Sequence, residues 1–589
     1  MIDKSNKKTT IGILVDDIFS DFAKDIIHSS INAIPDNRDI RIVVFAGKYI
    51  NENMPQAFDY PYKKMYNTIY KLAEICEIDG LIISLGSIDP HEENLFLKKY
   101  HTTFENIPKV IVAAEIDNYI TVNYDNAMGI KEAMDCLINI HNMTNICMLG
   151  GRPDNGDAMK RKKIFKSCLA EHGIEYRESQ YIDTDMSINC FDEADELLEK
   201  NPDCQAVFCV NDAVARGLYQ AMEERGKIPG KDILVFGFDN TLMAGEMMPS
   251  LSSIGASQDI LGRKALELIL DLLDGKEVTS ALLPTSLYGR ESFGYEMYDY
   301  STLEMSNIDS AFIYKMFDDC FYRYKNEKIR KKDINLKRLF FEIASKMLVA
   351  MKRKYMSLDE FNELKRLIEI FFENGIMEYT DTTKLIKSID RFQSSMNVMV
   401  KSPSANVMNN RLFSYMKDLA LRYVSTQLHK ELTRSNKTRD YLVQFMISGI
   451  DFTGKEEDNI PRILRSFDKL GLKNAAFYMY ETPVFLGGRM PKESDFPTSI
   501  DLRCSIKNGE LYILPKERRA TPVKYMFLRD ELSWDCNGYV IFPVFHGNYI
   551  YGSLVCEATA DIYDRGEFIA GQIGKTIFAA LLQENHKDL

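Results

Sequence analysis

Short apolar runs alternate with amphipathic stretches over the first 300 residues. Ile11–Val15, Ile40–Phe45, Leu81–Ser84, Val110–Ala113, Ile146–Leu149, Ala206–Val210 and Ile233–Phe236 have the length and composition of buried strands. Between them, 21–33, 62–76, 126–140, 157–172, 213–225 and 261–273 place apolar residues at helical spacing. Strands with no polar face that alternate with helices predict βαβ units, hence a parallel sheet covered on both faces. About 290 residues is too long for one small sheet, so two lobes are expected.

From about Ser301 the period becomes helical throughout. Residues 311–324, 336–354, 358–374 and 383–396 each predict an amphipathic helix, and the polar stretch around Pro403 predicts a break. Leu412, Met416, Leu419 and Tyr423 follow with 4-3-4 spacing, a seam that suits either a short coiled coil or a helix packed on its own domain. From Tyr441 the pattern is mixed. A helix at 460–470 precedes strands at 475–480, 511–514, 539–545 and 550–556, and a final helix spans 565–582. The last two strands flank His546-Gly547-Asn548, a hairpin turn, so this part predicts an α+β unit with an antiparallel sheet.

At ~150 residues per domain, 589 residues suggest about four domains, or fewer if one is large. The 73 basic and 86 acidic residues leave a charge of −13, which argues against a chain that binds nucleic acid over its whole surface. One basic cluster, Arg323 to Arg338, suits either a local nucleic-acid surface or a solvated helix end, and the acidic whole favours the second. No apolar run approaches the ~20 residues of a membrane span, and no export signal precedes the first strand. With eleven scattered cysteines this predicts a cytoplasmic protein with reduced thiols. The eight histidines have no metal-ligand spacing, and His429 and His546 read as structural. No nucleophile elbow, phosphate loop, zinc-protease or kinase motif is present, so neither catalytic residues nor a cofactor nor a metal is expected.

Residues 206–240 read Ala-Val-Phe-Cys-Val-Asn-Asp-Ala-Val-Ala-Arg-Gly, then Gly226, Pro229 and Asp232-Ile-Leu-Val-Phe-Gly-Phe-Asp-Asn240. This resembles the effector-binding domain of the lactose-repressor/purine-repressor family, which has a periplasmic-binding-protein-like fold. Ile11-Gly-Ile-Leu-Val, Asp79-Gly80-Leu-Ile-Ile, Asp125-Asn126 with Gly129, Gly150-Gly151 with Arg161, and Leu283-Pro284 with Arg290-Glu-Ser292 fall in the family's order. The resemblance covers about residues 10–295. It implies a two-lobed α/β domain that holds a small polar ligand, of sugar or nucleoside type, in the cleft between its lobes. The family places a helix-turn-helix headpiece of about 60 residues before the first strand. Ten residues precede Ile11 here, so no direct sequence-specific DNA binding is expected of this chain.

Residues 436–589 resemble a GAF domain, through the order Pro-Val, turn, Tyr-Gly-Ser-Leu within 538–555. A repressor-like sensor (1–300), a helical connector (301–435) and a GAF-like module resemble the input half of some bacterial diguanylate cyclases. The GGDEF motif of the catalytic half is absent from this sequence. The expected function is therefore a ligand sensor that relays lobe closure to a dimerising module. The alternatives are a regulator of the repressor family acting through a DNA-binding partner, and the sensor half of a cyclase.

A cleft of this kind is lined by residues at the carboxyl ends of strands. Asp16, Asp17 and Phe19 follow the first strand, Ser84 ends the third, Asn211 and Asp212 follow Ala206–Val210, and Asp239 follows Ile233–Phe236. The resemblance adds Arg161. Carboxylates and a guanidinium suit hydroxyl groups, and Phe19 suits stacking. Asn211 fits a helix cap equally well, and Asp239 a turn. Homodimerisation is expected through the 412–423 seam and a second series, Ile573, Ile577 and Leu581, on the final helix.

Overall fold

The computed structural model describes residues 8–48, 63–88, 96, 104, 106–256, 260–294, 308–321, 324, 335–353, 355–380, 382–399, 403–450, 459–486 and 495–585. Its strands are β1 (Thr9–Val15), β2 (Ile40–Ala46), β3 (Gly80–Ser84), β4 (Lys109–Val112), β5 (Ile120–Tyr124), β6 (Ile146–Leu149), β7 (Tyr181–Ile182), β8 (Ala206–Cys209), β9 (Leu234–Phe238), β10 (Ser252–Gly255), β11 (Ala281–Leu283), β12 (Ser286–Tyr288), β13 (Ala475–Phe485), β14 (Ser499–Lys507), β15 (Glu510–Ile513), β16 (Ala520–Pro522), β17 (Gly538–His546) and β18 (Tyr549–Glu557). They fall into two compact units. One joins residues 1–125, 258–283 and 434–589, and the other joins 126–257 and 284–433.

In the first unit β11-β5-β4-β3-β1-β2 run parallel. Ile11, Ile13, Leu14 and Val15 of β1 are fully buried, as a strand covered on both faces requires. The sheet does not end at β2. Gly538 to Ile541 of β17 pair in parallel with Ile42 to Phe45, and Ile42 donates its amide to the Asn537 carbonyl at 2.7 Å. Beyond β17 the order β18-β13-β14-β15 is antiparallel, and β16 pairs with β14.

The chemistry of β2 accounts for this junction. All seven of its residues are buried, so left as an edge it would offer an apolar ladder to any other strand. Its one charged residue, Arg41, donates to the Phe527 carbonyl and lies 5.2 Å from the centre of the Tyr539 ring. One hydrophobic core holds Ile42 and Val44 together with Val540, Phe542, Ile573 and Ile577. The β17–β18 hairpin turns at Gly547 with φ +56°, a conformation that glycine adopts without steric cost.

The second unit holds the parallel strands β10-β9-β8-β6-β7, with β12 added antiparallel at the β10 edge. Helices Asn126–Asp135, Gly156–Glu171, Phe191–Lys200 and Asp212–Glu224 flank it. Helices Ser310–Cys320, Leu336–Lys352, Leu358–Glu373 and Thr382–Met399 pack round their own core of Phe317, Ile343, Ile368 and Phe371. The next helix runs unbroken from Pro403 to Ile450, with proline in the first turn, where its missing N–H costs nothing.

Two expectations need correction. Leu412 and Met416 are buried in the helical core, and Leu419 and Tyr423 pack against it, because the preceding helices cover that face. Ile573 and Ile577 are fully buried and Leu581 packs on the same core, because the final helix, Ala560–Asn585, lies on β17 and β18. Neither series is free to meet a second copy. Most of the basic cluster, including Arg323 and residues 325–334, lies outside the described residues, and Lys337 within it pairs with Asp318 at 2.6 Å. No helix among the described residues is long and apolar enough to cross a membrane.

Candidate functional site

In the first unit, the carboxyl end of β1 runs into a tight turn. Asp17 accepts the Phe19 amide at 3.0 Å on its carboxylate and the Ser20 amide at 3.1 Å on its carbonyl. Ser20 then caps the helix Asp21–Asn32 by accepting from the Ala23 amide. Lys48, just past β2, brings its ammonium 3.9 Å from Asp17, 5.2 Å from the Phe19 ring centre and 5.5 Å from that of Tyr66. Its firmest partner is Glu567 of the final helix, at 2.9 Å. Burial raises the Glu567 carboxyl above the ordinary range, and Lys48 opposes that shift. Burial and the Glu567 charge push the Tyr66 phenol up to about 12.

Asp17 and Phe19 thus share one corner with Lys48, Tyr66 and Glu567. Phe19 is 38% exposed and Asp16 half-buried. Ser84 has no exposed surface, so it reaches a ligand only if its surroundings open. Lys48 could have been found by the rule that selected Asp17, since it follows a strand's carboxyl end. Glu567 could not, because nothing local ties a helix near the C-terminus to the first two strands.

In the second unit, Arg161 is the centre of the site. It lies in the helix Gly156–Glu171, which Asn155 caps by accepting from the Ala158 amide. Only 5% of it is exposed, and its guanidinium stacks 3.6 Å from the Phe238 ring centre. Nε donates to Asn126 Oδ1 at 2.9 Å and Nη1 to the Val210 carbonyl at 2.6 Å. Asn126 in turn donates to Asp157 at 3.1 Å. Nη2 lies 3.6 Å from Asp239 Oδ1, longer than a hydrogen bond, and the Asp239 side chain is 44% exposed.

Asp239 and Asn240 both have positive φ, +98° and +49°, a strained pair of conformations for residues other than glycine. Arg290, 1% exposed, holds the pair by donating to Asn240 Oδ1 at 2.7 Å and to the Leu251 carbonyl at 2.7 Å. Gly255 gives the turn room, since a Cβ there would meet the Asn240 Cβ at 2.6 Å.

Asn211 and Asp212 are placed otherwise. Asn211 accepts from the Val214 amide at 2.9 Å, capping the helix Asp212–Glu224, and donates to the Met186 carbonyl at 3.0 Å. Asp212 is 1% exposed. Its carboxylate accepts from Ser253 Oγ at 2.5 Å, the Thr241 amide at 2.8 Å and Thr241 Oγ1 at 2.9 Å. Burial, helped by the Asp239 charge, pushes its carboxyl up to about 7. It braces the Asp239–Thr241 turn from beneath, while Arg161 and Asp239 meet above.

Residues 140–293 match the periplasmic binding protein-like domain family. The chain carries such a domain. It is 26% identical over 299 residues to catabolite control protein A of Priestia megaterium, covering 49% of this chain and 82% of that protein. It is also 26% identical over 277 residues to the HTH-type transcriptional repressor PurR of Photobacterium profundum, covering 46% and 77%. Among solved structures it is similar to a transcriptional regulator CelR–cellobiose complex, with a TM-score of 0.41, 21% identity, and coverage of 49% of this chain and 85% of that one. The chain therefore contains a periplasmic-binding-protein-like domain, and several of its curated relatives are named as HTH-type transcription regulators.

Proposed function

We propose that the chain is a regulatory sensor that binds a small polyhydroxylated ligand, a sugar or nucleoside, and acts by binding rather than catalysis. The observation that carries this is the 3.6 Å gap between Arg161 Nη2 and the exposed carboxylate of Asp239. A donor and an acceptor of opposite charge, braced yet too far apart to satisfy each other, suit a ligand hydroxyl, which accepts from one and donates to the other. Arg161 is locked by Asn126, the Val210 carbonyl and Phe238, so little ordering is left to be done on binding. Asp17, Phe19 and Lys48 supply charge and an aromatic face at the strand ends of the other unit.

The reading extends to the C-terminal part, which acts as a GAF-like receiver. Its antiparallel order β17-β18-β13-β14-β15, backed by the final helix, supports this, and its pairing with β2 provides a direct path from the sensor sheet. A second reading is favoured by the relatives, which are transcription regulators: the chain regulates transcription through a DNA-binding partner. A thermal-shift screen of sugars and nucleosides on the full chain tests the sensor reading. A ligand at 100 times its dissociation constant adds about 2.7 kcal/mol to the part that binds it. No shift with any member of either class would reject the proposed ligand chemistry.

A further inference from the structure

Within the first unit, β14 changes faces at Arg503. Phe477 and Tyr478, consecutive in β13, pair with Cys504 and Leu502, so Arg503 is the extra residue of a β-bulge. The bulge turns the strand over. Ile500 and Leu502 belong to one hydrophobic core of the unit, and Cys504 and Ile506 to another. β16 and β15 pair with β14 on either side of this step, and the turn between them, 514–519, passes beside Arg503. The Leu514 amide donates to the Arg503 carbonyl at 3.0 Å, and the Leu502 amide to the Arg519 carbonyl at 2.9 Å. Arg519 folds back across the turn, its Nε donating to the Leu514 carbonyl at 2.8 Å. Two guanidinium groups therefore share one edge of the sheet, close enough for Arg503 to feel the Arg519 charge.

Neither is fully neutralised. The Arg503 side chain is only 19% exposed, yet no group among the described residues accepts a hydrogen bond from its guanidinium, and Nε is buried without a partner. Asp501 stands 3.5 Å from Nη2, too far for a good hydrogen bond. Burial lowers the Arg503 guanidinium from its ordinary value, Asp501 and Glu481 oppose that shift, and Arg519 adds to it. Arg519 has no carboxylate partner among the described residues. Glu531 is already taken, by Arg518 at 3.1 Å and Arg529 at 2.8 Å. A half-buried cation left short of acceptors is costly unless something else supplies them.

We propose that Arg503 and Arg519 together bind a phosphate group, the phosphomonoester dianion of a small soluble ligand. Two planar forks with unfilled donors match an anion with three terminal oxygens, whereas a carboxylate has two, which one fork satisfies. Lys516 and Arg518 on the same turn offset the opposing charges of Asp501, Glu481 and Glu517. The site lies outside the matched domain, 140–293, and stands independently of the sugar or nucleoside reading.

Titration calorimetry of the full chain with inorganic phosphate and with phenyl phosphate, at constant ionic strength, tests this. Both should bind, and acetate should bind at least about tenfold more weakly. Arg503→Gln and Arg519→Gln should each weaken phosphate about tenfold or more, and Arg503→Lys, which keeps the charge but not the fork, should fall between. Arg519 lies on a surface turn, so its variant keeps the test decisive if Arg503→Gln melts early. Four results would overturn the proposal: no phosphate binding at millimolar concentration, acetate bound as tightly, an affinity unchanged in the well-folded glutamine variants, or binding to phosphatidic acid vesicles with none to soluble phosphate.

Discussion

Lys48, two residues past the end of β2, forms an ion pair of 2.9 Å with Glu567 of the final helix. The two residues are more than 500 positions apart, yet the pair touches the corner that holds Asp17 and Phe19. The Glu567 side chain is 7% exposed and that of Lys48 21%, so neither charge is fully relieved by water. Removing one partner leaves the other short of solvation, and Glu567→Ala should cost about 1–3 kcal/mol. Replacing both, Lys48→Met with Glu567→Leu, should recover most of that loss. Urea denaturation of the four members of the cycle measures the coupling, and simple additivity would show the pair to be inert.

The Arg161–Asp239 gap makes a prediction about binding. With a ligand in hand from the thermal-shift screen, Arg161→Lys and Asp239→Ala should each weaken it about 10- to 100-fold, the worth of one charged hydrogen bond. Asp239 is exposed enough for its alanine variant to melt near the parent temperature. Titration calorimetry and a melt on the same sample separate lost affinity from lost fold.

Asp212 makes a prediction about pH. Its carboxyl titrates at about 7 in the folded unit against an ordinary value of 3.8. The folded state holds a proton that the unfolded chain releases, so this contribution is full below about 3.8 and is lost as pH rises to about 7. The loss amounts to about 4 kcal/mol at most. Asp212→Asn, which retains an acceptor for Thr241, should flatten the stability profile across that window. A variant profile parallel to the parent's would show that Asp212 is not the group responsible.

The β2–β17 junction predicts the effect of truncation. A chain ending at residue 433 strips β2 of its partner and leaves Arg41 without the Phe527 carbonyl. Such a chain should self-associate through the bare apolar edge. Size-exclusion chromatography beside the full chain shows it as a shift to high mass.

Two leucines on the long helix should behave oppositely. Leu412 is fully buried in the helical core, and its change to alanine should cost about 2–5 kcal/mol. Leu428 is 55% exposed, and its alanine variant should unfold within about 0.5 kcal/mol of the parent.

Much of this protein is set by local pattern. Runs such as Ile11–Val15 and Ala206–Cys209 have no polar face, so they form strands only where both sides are covered, and the alternation with helices makes the sheet parallel. The hairpin around Gly547 and the helices of 310–399 follow from turn chemistry and period in the same way. Short strands such as Tyr181–Ile182 and Ser286–Tyr288 carry too few residues to show a period, and only their neighbours make them strands. Which apolar face is inside was equally beyond the sequence. Leu412 and Leu428 sit on one helix with similar surroundings in the chain, and only the packing of the four preceding helices buries the first and leaves the second exposed. The site divides the same way. Strand ends pointed to Asp17 and Asp239, because loops converge there, and the family resemblance pointed to Arg161. Lys48 with Glu567, and Asp212 as a brace beneath the turn, were decided by tertiary structure alone, since ion pairs and buried hydrogen bonds depend on distance in space, which separation along the chain does not fix.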